Sequence, residues 1–160
     1  RFCSYVPQGN AIFSGTVADN LRIVKPEATD EEIINALVTA DAWSFIEELP
    51  NGINTEISEK GVNFSEGQVQ RMSIARAILR DAPIIVMDEA TSALDPVIEK
   101  EIMDNIKRRG CTCVIVAHRL SAIRDCDEII VMDRGKIVQR GTHEELSQVE
   151  GHYQRLIQNI

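Results

Sequence analysis

An apolar run, Ile84-Ile85-Val86-Met87, ends in two adjacent carboxylates, Asp88 and Glu89. Four apolar residues make a strand, and in an open α/β sheet ligands collect at the carboxyl ends of strands. Two neighbouring acids there can divide the work. One holds a divalent cation through its water shell, and the other polarises a water for attack on phosphorus. A strand that merely ends in a polar turn would show the same six residues, so alone they leave both readings open.

Three other places carry compatible chemistry. In Phe64-Ser65-Glu66-Gly67-Gln68, Ser65 and Gln68 form a capping box. The helix it opens presents free N–H groups and a positive dipole end, and Gly67 lets a phosphate approach the backbone. The plainer alternative is an ordinary helix cap. His118 closes the apolar run 112–117. A His at a strand tip can donate to a phosphate oxygen or orient a water, although a lone His is more often structural. Gln8, in Tyr5-Val6-Pro7-Gln8, offers an amide oxygen to Mg²⁺ and to a water, and in isolation signifies nothing.

The elements that would position these groups are legible from periodicity. Capping boxes at Thr29/Glu32, Ser65/Gln68 and Thr142/Glu145 each precede an apolar stripe at helical spacing. A fourth helix is expected over 97–109, with Pro96 at its start and Gly110 at its end. The apolar runs 84–87, 112–117 and 129–132 suit strands covered on both faces, as in parallel sheets, and 136–139 forms a hairpin with the last of them across Asp133-Arg134-Gly135. Residues 2–6 read as a strand already in progress. Strands and helices alternate from Gln68 onward, which is α/β, while about 26–80 reads as an inserted helical subdomain.

Composition excludes several classes. The 160 residues carry a net charge of −8 with no basic stripe, so a nucleic-acid partner is not expected. No apolar run approaches the roughly 20 residues of a membrane-crossing helix. The four cysteines, Cys3, Cys111, Cys113 and Cys126, have no zinc-site spacing and are read as reduced thiols. His143 and His152 fall on the terminal helical segment and are expected to be solvated.

In order and spacing, these motifs resemble the nucleotide-binding domain of ABC transporters over essentially the whole chain. Gln8 matches the Q-loop, Phe64 to Gln68 the signature motif, Asp88 and Glu89 the Walker B Asp and catalytic Glu, Ser92-Ala93-Leu94-Asp95 the D-loop, and His118 the H-loop. The exporter branch is the best fit. Ile12-Phe13-Ser14-Gly15-Thr16-Val17-Ala18-Asp19-Asn20-Leu21 is similar to the exporter pattern after the Q-loop, and Thr55-Glu56-Ile57-Ser58-Glu59-Lys60-Gly61 looks like the exporter X-loop.

The resemblance implies a P-loop NTPase-like parallel sheet with an inserted helical subdomain (about 26–80, with the signature motif) and an α/β core over 81–160. It implies ATP and Mg²⁺ as ligands, hydrolysis coupled to export, and a head-to-tail dimer with a second such domain. In that dimer Gln8, Asp88, Glu89 and His118 serve one nucleotide. Ser65, Glu66, Gly67 and Gln68 serve the other, and Asp95 communicates across. The Gln8 and 55–61 regions are implied to meet a transmembrane domain at the cytoplasmic face of the membrane. Other readings are a non-transport ABC ATPase of the DNA-repair or translation type, and a non-catalytic half that only dimerises.

The sequence departs from the family pattern in three ways. No Gly-x-x-x-x-Gly-Lys-Ser/Thr loop occurs in the 160 residues, so that loop and the first strands are expected upstream of residue 1, and the chain alone is expected to be inactive. Glu66 stands where the family usually has Gly, read as a tolerated variant with an asymmetric dimer as the alternative. Ser58 and Lys60 stand where Gly and Arg are usual.

Overall fold

The capping box Ser65–Gln68 starts the longest helix, α4 (Glu66–Leu79), whose apolar positions Met72, Ile74, Ala75 and Ile78 are fully buried. The protein is described by a computed structural model covering residues 2–9, 12–59 and 63–159. It divides into two compact units, one ending at Val116 and one beginning at Ala117.

In the first unit, strand β1 (Cys3–Val6) pairs in parallel with β4 (Ile84–Asp88), and β4 pairs in parallel with β5 (Thr112–Val116), so that β4 lies in the middle. Between β1 and β4 the chain makes a helical layer. It contains α1 (Val17–Arg22), α2 (Asp30–Thr39), α3 (Trp43–Glu47) and α4. Helix α4 packs against α1, α2 and β1. One core of Ile33, Leu37, Met72, Ile78, Met87, Ile102 and Ile106 runs through both layers. Burying each such aliphatic side chain contributes about 1.5–3 kcal/mol.

The capping boxes at Thr29 and Ser65 form as expected, with both reciprocal bonds present. A further one opens α1. Thr16 accepts from the Asp19 N–H at 2.9 Å, and Asp19 accepts from the Thr16 N–H at 3.1 Å. A search for Glu or Gln at the third position overlooks it, because the shorter Asp does the same job here. Helix α5 (Pro96–Arg108) follows the expectation for 97–109, and its N-cap is Asp95.

In the second unit, α6 (Leu120–Ile123) leads to strands β6 (Ile129–Asp133) and β7 (Lys136–Gly141), which form the expected antiparallel hairpin with a bulge at Val131/Met132. The unit ends in α7 (His143–Ser147), with its Thr142 capping box intact, and α8 (His152–Gln158). Its core is small: Ile129, Val131, Leu146 and Tyr153.

Three expectations are corrected. The terminal segment is two helices rather than one, parted at Gly151, where Gln139 approaches so closely that a Cβ would lie 2.6 Å from its Nε2. Strands β5 and β6 are not covered on both faces. Val114, Val116, Ile130 and Met132 are exposed, because among the described residues no element packs closely over the faces of β5 and β6 that carry them. His143 is half-buried rather than solvated, with its Nδ1 2.7 Å from the Tyr153 hydroxyl. His152, also half-buried, lies 3.7 Å from the Asp133 carboxylate. None of the four cysteines forms a disulfide.

Candidate functional site

The parallel register fixes which groups share the carboxyl edge of the sheet. Val6 is opposite Met87, and Asp88 is opposite Val116. Asp88 therefore stands one residue beyond that first pair, and Gln8, which is exposed, lies two residues past the end of the neighbouring strand β1. The first unit thus brings Gln8, Asp88 and Glu89 to adjacent strand tips. Tyr5 shares a sheet face with Asp88, and its hydroxyl donates to Asp88 Oδ2 at 3.0 Å. That bond holds the Tyr5 phenol above its ordinary range, with burial and the Asp88 charge acting in the same direction.

Glu89 leaves the strand with φ of 52°, in the left-handed region, and its N–H donates to the Val116 carbonyl at 2.8 Å. A non-glycine residue there carries about 1–2 kcal/mol of strain. Such strain persists where the surroundings over-determine the conformation, and it clusters at functional sites. Here it takes the backbone out of extended geometry just past the end of β4.

At the start of α4 the Ser65 hydroxyl accepts from the Gln68 N–H at 3.1 Å, and Gln68 Oε1 accepts from the Ser65 N–H at 2.9 Å. Glu66 is exposed in the first turn. Gly67 has a packing reason: a Cβ there would lie 3.1 Å from the Ala93 carbonyl oxygen. The loop 89–95 thus runs directly over the first turns of α4. Its far end, Asp95, accepts from the Val97 N–H at 2.7 Å and caps α5.

His118 is exposed and belongs to the second unit, two residues past the end of β5.

The two segments that matched the exporter pattern lie side by side. Strand β2 (Gly15–Thr16) pairs antiparallel with β3 (Glu56–Ile57), and the Val17 N–H donates to the Thr55 carbonyl at 3.1 Å. Buried Asn20 holds the approach to this ribbon by accepting from the Phe13 N–H at 2.8 Å and donating to the Phe13 and Thr16 carbonyls. Asn63 closes the other side onto Ser58 and Glu56. Lys60 and Gly61 lie outside the described residues.

Sequence reasoning missed four side chains here. Tyr5 reads as a strand residue, Asn20 as a helix surface residue, and Arg71 and Gln70 as polar neighbours of an apolar stripe. Arg71 lies 4.7 Å over the Phe45 ring and donates to the Asp41 carbonyl at 3.0 Å, tying α4 to the turn before α3. Tyr5, Gln70 and Arg71 have no local signal, because each finds its partner across the fold, whereas Asn20 bonds Phe13 and Thr16 only seven and four residues away.

Among the described residues no three His, Cys, Asp or Glu side chains form a metal cage. Hard oxygen donors at Asp88 and Gln8 fit instead a Mg²⁺ ion that keeps several waters and takes its remaining ligands from substrate phosphates. No helix among the described residues is long and apolar enough to cross a membrane.

Residues 1–92 match the model of the ABC transporter family. An ATP-dependent lipid A-core flippase of Shewanella sp. strain MR-4 is 50% identical over 157 residues, covering 96% of this chain and 26% of that protein. A Staphylococcus aureus protein whose name describes multidrug export is 47% identical over 159 residues, covering 97% of the chain and 28% of that protein. The chain spans about a quarter of the length of these relatives. Among solved structures, a bacterial Atm1-family ABC exporter with ATP bound superposes with a TM-score of 0.93 at 34% identity, over 99% of this chain and 28% of that one. The α/β fold is therefore the P-loop NTPase-like fold expected from the motifs, and the chain belongs to the ABC transporter family.

Proposed function

We propose that this chain is part of the ATP-binding and ATP-hydrolysing domain that powers export across a membrane. The observation that carries the proposal is the shared sheet edge: Gln8 and Asp88–Glu89 sit on adjacent strand tips, with the loop from Glu89 to Asp95 laid across the helix that begins at Ser65. The names of its relatives, lipid A-core flippases and a multidrug exporter, favour transport over DNA-repair or translation roles.

In this reading Glu89 is the general base that takes a proton from the attacking water, and His118 contacts the γ-phosphate. Asp88 and Gln8 hold Mg²⁺, which when bound neutralises charge developing on the phosphates. Tyr5 orients the Asp88 carboxylate. Two domains meet head to tail. The α4 terminus of one, with Ser65, Glu66, Gly67 and Gln68, faces the nucleotide of the other, and its N–H groups favour the anion. Asp95 communicates between the two sites. The helical part at about 26–80 and the α/β part at 81–160 are the two subdomains of this machine. In the same reading the β2–β3 ribbon and the Gln8 region pass the motion to a transmembrane domain, and the chain works at the cytoplasmic face of a membrane.

The test is ATP turnover by the complete protein that carries this chain. A positioned general base contributes about 10²–10⁴-fold. Glu89→Gln, which keeps shape and removes the base, is expected to lower turnover by at least about 100-fold while ATP still binds. Turnover unchanged by that substitution refutes the proposal.

A further inference from the structure

Gln70 is 8% exposed, and both ends of its amide engage one loop. Its Oε1 accepts from the Ala93 N–H at 2.9 Å, and its Nε2 donates to Ser92 Oγ at 2.9 Å. One turn earlier on α4, Gly67 leaves so little room that a Cβ would lie 3.1 Å from the Ala93 carbonyl oxygen. Residues three apart share a helix face. The glycine admits the loop and the glutamine grips it. The same loop is fixed at its start by the Glu89 N–H on Val116 and at its end by Asp95 capping α5, and it buries Leu94 to 4% exposure.

We infer that Gln70 is a positioning residue that couples the two nucleotide sites of the dimer. Within one chain it locks the loop bearing Glu89, which serves one nucleotide, to the helix bearing Ser65, which serves the other. This rests on the ATPase reading above and adds the side chain through which one site senses the other. The physical reason is the asymmetry of the contact: Gln70 is buried, whereas Ser92 and Ala93 are exposed. Without the amide, water takes up the Ala93 N–H and the Ser92 hydroxyl at little cost, and no side-chain bond from Gln70 then ties the loop to the helix. Loop and helix then move separately, and coupling that needs a two-state element common to both sites is lost.

The experiment uses the complete protein in lipid nanodiscs, with turnover measured against ATP concentration. Wild type is expected to respond sigmoidally. Gln70→Met keeps length and packing and removes both bonds. It is expected to bring the Hill coefficient to about 1 and lower maximal turnover about tenfold, with half-saturating ATP within about twofold and only a small drop in the unfolding midpoint. Ser92→Ala removes only one bond and is expected to fall between the two. A wild-type Hill coefficient of 1, or a Gln70→Met protein whose cooperativity and turnover match wild type, overturns the inference. Should Gln70→Met fail to fold, Ser92→Ala decides: reduced cooperativity supports the coupling role, and wild-type behaviour overturns it. Glu89→Gln separates the two levels. If it retains turnover, the ATPase reading itself fails. If it is inactive while Gln70→Met behaves as wild type, only the coupling role fails.

Discussion

The two units of the chain hold themselves together by different means. In the first, α2, α4 and α5 bury Ile33, Leu37, Met72, Ile78, Ile102 and Ile106 in one core with Val6 of β1 and Met87 of β4, and the polar bonds at the sheet edge are few and specific. In the second, four residues make the core, and polar side chains do much of the fastening. Gln139 accepts from the Tyr153 N–H at 2.7 Å, His143 meets the Tyr153 hydroxyl, and Glu128 pairs with Arg140 across the hairpin. Large apolar side chains stay exposed in both units, for example Val97 at 75% in the first and Met132 at 64% in the second, so the units differ in the depth of their cores. The difference teaches where the candidate site gets its rigidity. Asp88, Glu89 and the start of α4 stand on the unit with the deep core, whereas His118 stands on the unit with the shallow one.

The contrast makes graded predictions. The largest effect is expected from Leu37→Ala, which empties a fully buried site between α2 and α4. It is expected to cost about 2–5 kcal/mol in the unfolding free energy of the first unit, measured by denaturant titration. A cost below about 1 kcal/mol would show that this core is not what supports the site.

Tyr153→Phe keeps the ring in the second core and removes one hydrogen bond to His143. The expected cost is about 1 kcal/mol, confined to the second unit in hydrogen exchange. Faster exchange in α4 or β4 would contradict the separation of the two units.

The smallest effect is on pH dependence. Backbone and hydroxyl bonds from Thr16 hold the Asp19 carboxyl below its usual range, and the Thr29 backbone, helped by Lys25, does the same for Glu32. A depressed folded pKa gives stability that is present above the unfolded value, near 3.9 for Asp and 4.3 for Glu, and lost as pH falls through the folded one. Asp19→Asn combined with Glu32→Gln is expected to flatten the acid limb of the stability curve below about pH 4 and leave its slope near neutrality unchanged. An unaltered acid limb would mean that these caps do not titrate with folding.

Much of the architecture was legible because it is set locally. A capping box is a contact between residues three apart, and an apolar run ending in Asp88-Glu89 announces a strand tip from its own residues. The hairpin at Asp133-Arg134-Gly135 is equally local. What stayed hidden depends on partners distant in sequence. Gln70 and Ala93 are separated by 23 residues, and Tyr5 and Asp88 by 83. Gly151 breaks the terminal helix because Gln139, from another element, occupies the space beside it. The exposure of β5 and β6 depends on what packs over their faces, and an apolar run carries no record of its neighbours. The candidate site divides in the same way. Its residue types were readable in order, while the grip of Gln70 and the close approach at Gly67 exist only once α4 and the loop 89–95 are packed.

The most direct measurement is a structure of the complete protein carrying Glu89→Gln, determined with ATP and Mg²⁺. The expected density places the cation against Asp88 and Gln8 of one copy, with Ser65 of a second copy against the γ-phosphate of the same nucleotide. A nucleotide bound away from the β1 and β4 tips, or a dimer whose α4 terminus touches no phosphate, would contradict it.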